Sequence, residues 1–200
     1  MMVDNSCDGD NIHSFTELQS YAYRIAKQGH NLLITGQCGT GKTYLLRCII
    51  NKVMKDKVVA VTATTGMAST QLGLNATTVH HWSGLGDVRF SKEELLNKFM
   101  SDDKFSLARI RIASADMLVI DEIGMLSQTT FDKLEMVCRL GRKNKQLFGG
   151  LQVIASGDFK QLPPVPNYRY KDPGTYCFQS AIFKDVFAHH TNLTEVSKAR

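Results

Sequence analysis

The 200-residue sequence has few of the features that mark membrane-bound or exported proteins. No apolar run approaches the roughly 18–20 residues that are needed to span a bilayer. Residues 1–10 are polar and include acidic side chains, unlike a signal peptide. We therefore expect a soluble intracellular protein with no membrane partner, resident in the nucleus or mitochondrion if the source is a eukaryote.

Cysteine and proline are sparse. The five cysteines are odd in number, widely scattered and without a C-x-x-C pair, which argues against a disulfide framework and a zinc site. The four prolines are confined to residues 163–173, and there is no internal repeat, low-complexity tract or long linker. The sequence therefore predicts one domain in a reducing compartment.

The composition is that of an ordinary globular domain, with 43% hydrophobic and 22% charged residues. The formal net charge is +5, and basic residues cluster at 104–111 and 139–145. Such clusters fit either a surface that meets polyanions or a solvated face, and the charge alone leaves both interpretations open.

Apolar spacing indicates how the elements alternate. Helical spacing predicts a helix over 15–25, capped by Ser14 or Thr16, and another from Lys42 to about Val53. Further helices are expected near 92–100, 130–140 and 179–187. Short β-branched runs predict buried strands at 32–35, 58–63, 117–121, 151–155 and 191–196. This alternation predicts an α/β fold, with a mostly parallel sheet and helices on both faces.

A glycine-rich loop lies between the first predicted strand and the second predicted helix. Its pattern is G-x-x-x-x-G-K-T, formed by Gly36, Gln37, Cys38, Gly39, Thr40, Gly41, Lys42 and Thr43. Glycines let backbone N–H groups converge on phosphate oxygens at the positive end of a helix. We expect this loop to bind ATP, with Lys42 reaching the outer phosphates and the Thr43 hydroxyl ligating Mg²⁺.

Two later segments carry polar residues at the ends of predicted strands. Asp121 and Glu122 follow a buried run, where Asp121 is expected to hold Mg²⁺ and Glu122 to orient or deprotonate the attacking water. Gln161 lies in the loop 157–165, which contains two consecutive prolines. That loop fits either a phosphate sensor or a structural turn.

Taken in order, these motifs resemble the Pif/RecD-like branch of superfamily-one DNA helicases, and closely its Pif-one family. Gln19 matches the glutamine that reads adenine in that family, and residues 61–68 and 78–80 match its next block. Asp121 begins a match to its second motif and Gly157 a match to its third. The resemblance covers roughly residues 16–196.

The resemblance implies a three-layer, RecA-like P-loop NTPase, the N-terminal motor lobe of a helicase. It implies that Gln161 contacts the γ-phosphate and that single-stranded DNA runs along Thr64, Thr65, His80 and His81. Base stacking on Trp82 and its histidine neighbours is also expected. Without the family, 64–66 fits a helix-capping turn and 80–82 fits buried structure.

The sequence departs from the family pattern in two respects. Lys198 lies near the place of an arginine that touches the γ-phosphate, and Arg200 follows two residues later. The second RecA-like lobe is absent from these residues, so we expect it to act in cis or in trans. The expected domains are a flexible N-terminus at 1–13 and a RecA-like ATPase domain at 14–200, allowing for a small insertion at about 84–114.

Two functions remain open on the sequence. The first is an ATP-hydrolysing DNA helicase motor lobe, for unwinding in replication, repair, recombination or telomere maintenance. The second is an ATP-dependent DNA-binding or regulatory module that does not unwind. A third, an unrelated P-loop ATPase such as a helicase loader, shares the first two motifs only, and Gln19 and the loop at 157–165 weigh against it.

Overall fold

The computed structural model describes residues 15–53 and 55–195. Four predictions therefore lie outside the described residues: the flexible segment 1–13, the alternative cap Ser14, the strand end at Val196, and the γ-phosphate candidates Lys198 and Arg200.

Six parallel strands form one sheet in the order β3-β2-β4-β5-β1-β6. The strands are β1 (Leu32–Gly36), β2 (Val59–Ala63), β3 (Thr77–Thr78), β4 (Met117–Asp121), β5 (Gln152–Gly157) and β6 (His189–Leu193). The helices are α1 (Glu17–Lys27), α2 (Lys42–Val53), α3 (Gly66–Leu72), α4 (Val79–Ser83), α5 (Lys92–Lys98), α6 (Ser106–Ser114), α7 (Gln128–Arg142) and α8 (Phe183–Val186).

The sheet separates two apolar cores. Every residue of the central strands β4 and β5 is buried, as expected for strands covered on both faces. One core joins side chains of α4 to α8 with one face of the sheet, and the other joins α1, α2 and the end of α3 with the opposite face. Each fully buried large side chain contributes about 1.5–3 kcal/mol. The predicted three-layer α/β fold is confirmed.

The sequence prediction differs from the structure mainly in the helices. The helix predicted over 179–187 is confirmed only over its second half, because α8 spans Phe183–Val186 and a 3₁₀ turn at Cys177–Gln179 precedes it. Helices α3, α4 and α6 were not predicted. In α6, Leu107 and Ile110 are 66% and 63% exposed, so its apolar residues do not follow one buried face.

The segment 84–114, predicted as a small insertion, packs against α4 and α7. Its buried side chains Leu95, Phe99, Phe105 and Ile112 belong to the larger core. Phe99 and Phe105 contact each other with ring centroids 5.2 Å apart. The segment therefore shares the larger core of the domain, and its origin as an insertion stays a prediction.

Most guanidinium groups of the two basic clusters serve the fold. Arg109 donates to the carbonyls of Phe99 and Asp102, and Arg111 donates to those of His81 and Trp82. Arg139 pairs with Glu135 at 2.6 Å. Arg109 and Arg111 thus satisfy carbonyls near helix ends, and Arg139 pairs with a carboxylate, so these three groups have partners within the fold. The interpretation of the clusters as a polyanion-binding surface stays a prediction.

Arg142 joins three elements. It donates from Nε to Gly149 O at 2.7 Å and from Nη1 to the carbonyls of Ile112 and Ala115 at the end of α6. One side chain thus connects α6, α7 and the turn before β5.

In the described part of the chain, no helix is long and apolar enough to cross a membrane.

We predict that Arg142→Met lowers the free energy of unfolding by about 1–3 kcal/mol, because the buried carbonyls lose a charged donor while the aliphatic stem is kept. Urea denaturation measures this. The matched control is Lys145→Met, which removes one positive charge from an exposed position in the same cluster and is expected to change stability by less than about 0.5 kcal/mol. Equal stability of the two variants would contradict the structural role of Arg142.

Candidate nucleotide-binding site

The predicted motifs meet at one edge of the sheet. Strands β4, β5 and β1 are adjacent and parallel, so their carboxyl ends lie together. The glycine-rich loop follows β1, the two acidic residues end β4, and the proline loop follows β5. Ligands of parallel α/β sheets bind at this carboxyl edge.

The phosphate loop encloses the ammonium group of Lys42. Lys42 is 9% exposed, and its Nζ donates to Gly36 O at 2.7 Å and to Gln37 O at 3.0 Å. Thr40 closes the loop by donating from Oγ1 to Gln37 O at 2.8 Å. Residues 37–39 are exposed, so the outer rim of the loop is accessible to a ligand.

Gly36 has no space for a side chain. Its φ is +152°, and a Cβ there would lie 2.5 Å from Leu193 O and 2.7 Å from Thr40 Oγ1. The close approach of β6 to the start of the loop therefore requires glycine at this position. The first glycine of the motif thus secures the loop against its neighbouring strand.

Asp121 and Glu122 have different environments. Asp121 is buried, and its Oδ1 accepts hydrogen bonds from Ser156 Oγ and from the Glu122 N–H at 3.0 Å. One carboxylate oxygen of Asp121 is thus fixed by the protein. Glu122 is only half-buried, so part of this residue is accessible to solvent.

The backbone of Glu122 is in the left-handed region, with φ +56° and ψ +41°. For a residue other than glycine this conformation costs on the order of 1 kcal/mol. Burial raises the pKa of the Glu122 carboxyl above its usual range; the negative charges of Asp121 and Asp158 act in the same direction, and Lys42 opposes them. Such a carboxyl resembles a general base tuned by its surroundings.

The turns after β4 and β5 touch backbone to backbone. A Cβ on Gly124 would lie 2.8 Å from Asp158 O, and one on Gly157 would lie 3.0 Å from Ile123 N. Both glycines permit this approach. The turn after β4 that begins at Glu122, here called the acidic turn, is therefore in direct backbone contact with the proline loop at 157–165.

A cavity of about 1000 Å³, here called the P-loop cavity, opens beside the phosphate loop. Its walls include Gly36, Gln37 and Thr40 on one side and residues 158–160 on another. A third, mostly apolar wall is formed by Phe178, Phe183, Lys184, Phe187 and Ala188. Gln161 follows these wall residues, but its side chain is exposed and does not line the cavity as described. Contact of Gln161 with a γ-phosphate stays a prediction.

Gln19 lies in the first turn of α1. Thr16 Oγ1 accepts from the Gln19 N–H at 3.2 Å, and Gln19 Oε1 accepts from the Thr16 N–H at 3.1 Å. This reciprocal pair is a capping box, which confirms Thr16 as the cap. The side chain is 4% exposed, and its predicted contact with adenine stays untested.

Three of the four residues predicted to contact DNA meet in a second cavity. This cavity, here called the threonine cavity, is about 270 Å³ and is lined by Thr64, Thr65 and His80 together with residues 164–165 of the proline loop. His80 is half-buried, and burial lowers its pKa. His81 is exposed and is not among the lining residues.

The structure bears on the two alternatives that the sequence left open at 64–66 and 80–82, while a DNA contact of Thr65 stays a prediction. Thr65 caps α3, since its Oγ1 accepts from the Ala68 N–H at 3.1 Å. Trp82 is 4% exposed and belongs to the larger core, so the expectation that it stacks on bases is wrong. His80 and His81 therefore lie directly before a buried tryptophan, Trp82.

Sequence reasoning missed two residues of the site. Ser156 binds Asp121, and Asp158 lies close enough to raise the pKa of Glu122. The only signal was a small polar residue at the end of an apolar strand, followed by an acid. Neither residue type is specific enough to be noticed without the adjacency of β4 and β5.

The donor set fits a magnesium ion bound mainly through a nucleotide. No group of three or more His, Cys, Asp or Glu side chains capable of holding a metal occurs in the described residues. Magnesium typically takes one or two protein ligands and completes its shell with phosphate oxygens and water. The fixed carboxylate of Asp121 and the hydroxyl of Thr43 in the first turn of α2 are suitable oxygen donors.

The parallel sheet, the phosphate loop after its strand β1 and the acidic end of β4 define a P-loop NTPase of the RecA-like type. The sequence model described as "PIF1-like helicase" matches residues 15–198. The chain therefore belongs to the PIF1-like helicase family.

Comparisons with individual relatives support the same family. The ATP-dependent DNA helicase PIF1 of Emericella nidulans is 37% identical over 182 residues, which are 88% of this chain and 24% of that protein. The crystal structure of Pif1 helicase from Candida albicans superposes with a TM-score of 0.79 at 34% identity, covering 91% of this chain and 40% of that one. The Bacteroides Pif1 structure in complex with ADP-AlF3 and ssDNA has a TM-score of 0.74 at 30% identity, with 91% and 42% covered.

This chain spans about a quarter of the length of the curated relatives it matches. The activity of those whole proteins is therefore only a proposal for this chain. The fold and the family are established for the part described here.

We predict that Gly124→Ala weakens both the fold and the site. The added Cβ would meet the backbone oxygen of Asp158 at 2.8 Å, so the turns after β4 and β5 must separate. The expected loss is about 1–3 kcal/mol of unfolding free energy, as for other overpacked positions. Denaturant unfolding and nucleotide titration by calorimetry measure the two effects.

Gly66→Ala is the matched control. Gly66 begins α3 and a Cβ there meets nothing within 4 Å, so the same substitution is expected to be neutral or stabilising by roughly 0.5–1 kcal/mol. Indistinguishable stability for the two alanine variants would show that the turns tolerate a side chain.

Proposed function

We propose that this chain is the ATP-hydrolysing motor lobe of a DNA helicase. The observation that carries the proposal is the convergence of the phosphate loop, Asp121 with Glu122, and the loop bearing Gln161 at one edge of a RecA-like sheet. Membership of the PIF1-like helicase family supports the same conclusion.

The substrate is ATP, bound with its phosphates in the loop at 36–43. Backbone N–H groups of the loop and the amino end of α2 stabilise negative charge, and Lys42 exchanges its two carbonyl partners for phosphate oxygens. Gln19 contacts the adenine. Binding at this position orients the terminal phosphate toward the carboxyl ends of β4 and β5.

Glu122 acts on the water that attacks the γ-phosphate. Its raised pKa favours proton acceptance, and its neighbour Asp121 is fixed by Ser156. Gln161 senses the γ-phosphate from the proline loop. When bound, Mg²⁺ neutralises charge on the phosphates, with Thr43 and Asp121 as its protein ligands.

Single-stranded DNA is proposed to follow the surface that joins the threonine cavity to α4, through Thr65, His80 and His81. The Bacteroides relative is described in complex with ssDNA and ADP-AlF3, and another relative is described at forked dsDNA. His80 and His81 offer ring faces and nitrogen donors of the kind that hold bases and phosphates.

A second RecA-like lobe, in cis or in trans, is proposed to complete the site. The phosphate loop opens into the P-loop cavity, which is bounded here by one lobe only. Translocation by alternating grip requires two lobes that close around ATP. With one wall, nucleotide affinity and turnover are expected to be weak.

Lys42→Ala is expected to lower ATP turnover by about 10²–10³-fold, because it removes a preorganised positive group from the site of developing charge. A phosphate-release assay measures turnover, and calorimetry with an ATP analogue measures binding. Lys57→Ala, which removes an exposed lysine near the end of α2, serves as the charge control and should retain both. Turnover by Lys42→Ala equal to that of the control would refute the site.

DNA is expected to stimulate ATP hydrolysis, and the comparison variant is Glu122→Gln. That variant should keep nucleotide binding and lose hydrolysis by about 10²–10⁴-fold, because it removes the general base. Strand displacement is measured in parallel on this chain and on a longer chain that contains it. If DNA stimulates ATP hydrolysis by the longer chain but that chain displaces no strand, the non-motor module is favoured. If DNA does not change ATP hydrolysis by the longer chain, the helicase proposal is refuted.

A further inference from the structure

Thr64 is the residue that directly follows β2, beside the end of β4. It is 9% exposed, although the sequence predicted it to contact DNA. Its backbone N–H donates to Asp121 O at 3.1 Å, and its hydroxyl donates to Glu122 O at 3.0 Å. One threonine therefore holds two successive carbonyls of the acidic turn.

The second of these bonds falls at a strained position. Glu122 has φ +56°, and a left-handed conformation persists only where surrounding contacts hold it. The amide of Thr64 continues the β2–β4 ladder, whereas its hydroxyl reaches beyond the strand to the carbonyl of Glu122 itself. Glu122 O also accepts from the Met125 N–H at 3.0 Å, a bond within the turn itself, so replacing the Thr64 hydroxyl would remove the donor that ties this peptide to β2.

We propose that Thr64 is a positioning residue, which holds the peptide of Glu122 in its left-handed conformation and connects the hydrolytic carboxyl to the DNA-facing segment that begins at Thr65. This inference rests on the proposed function and deepens it. The hydroxyl of Thr64 can donate one hydrogen bond, and it donates that bond to Glu122 O.

The connection to the DNA side runs through adjacent residues. Thr65 caps α3, and Thr64, Thr65 and His80 line the same threonine cavity. A strand of DNA that pulls on Thr65 or His80 therefore acts on the backbone at Thr64. A displacement of the Thr64 backbone changes the hydrogen bond from its hydroxyl to Glu122 O directly, with no residues of the core in between.

Thr64→Val tests the hydroxyl, because valine keeps the β-branched shape and cannot donate. Thr64→Ser is the rescue variant. Thr62→Val is the matched control: Thr62 lies two residues earlier, is fully buried, and donates from Oγ1 to Val119 O of the same strand β4 at 2.6 Å. It removes an equivalent bond from the same pair of strands without touching the acidic turn.

The activity arm compares kcat, KM and DNA stimulation. Thr64→Val is expected to lower kcat by about 10–100-fold with KM and DNA affinity unchanged, since a small misplacement of a catalytic group costs this much. It should also lose most of the DNA stimulation. Thr64→Ser and Thr62→Val should stay within about threefold of the parent. Equal losses in Thr64→Val and Thr62→Val would overturn the proposal.

A second arm does not depend on activity. The ¹³Cα and ¹³C′ chemical shifts of Glu122 follow its φ and ψ, and they are expected to change in Thr64→Val and to match the parent in the other two variants. Unchanged Glu122 shifts in Thr64→Val would overturn the proposal. A parent chain without ATP turnover would instead count against the proposed function, while these shifts would still decide the role of Thr64.

Discussion

The parallel pairing of β4 with β2 on one side and β5 on the other is the constraint on which the site depends. It places Thr64, Asp121 and Ser156 at the ends of adjacent strands, where Thr64 and Ser156 each donate a hydrogen bond to Asp121. The same pairing lets the turns after β4 and β5 touch through Gly124 and Gly157. The phosphate loop, the carboxyl proposed to act on water and the segment proposed to face DNA thus lie at one edge of the sheet.

The sequence predicted the elements whose pattern is local. The buried strand at 117–121, the helix that starts at Lys42 and the glycine loop before it agree with the structure because burial on both faces and phosphate-loop chemistry leave a mark over a few residues. The order of the motifs also indicated the family that the comparisons establish. In these elements, local propensity and tertiary packing favour the same conformation.

Long-range contacts could not be predicted in the same way. Arg111 and Arg142 look like surface charge in the sequence, yet their partners are carbonyls about thirty residues away in the chain. Thr64 matched a DNA-contact motif, whereas its hydroxyl is directed to Glu122 O. The left-handed backbone of Glu122 is likewise invisible in the sequence, since no glycine marks it.

The most direct test of this account is the backbone amide spectrum of the ¹⁵N-labelled chain during titration with magnesium, ADP and aluminium fluoride. The account predicts shifts at residues 36–43, at Glu122 and Gln161 and, through Thr64, at Thr65, while the amides of α5 stay unchanged. Shifts confined to the phosphate loop, with Glu122 and Thr65 unmoved, would contradict the claim that the nucleotide and DNA sides share one edge.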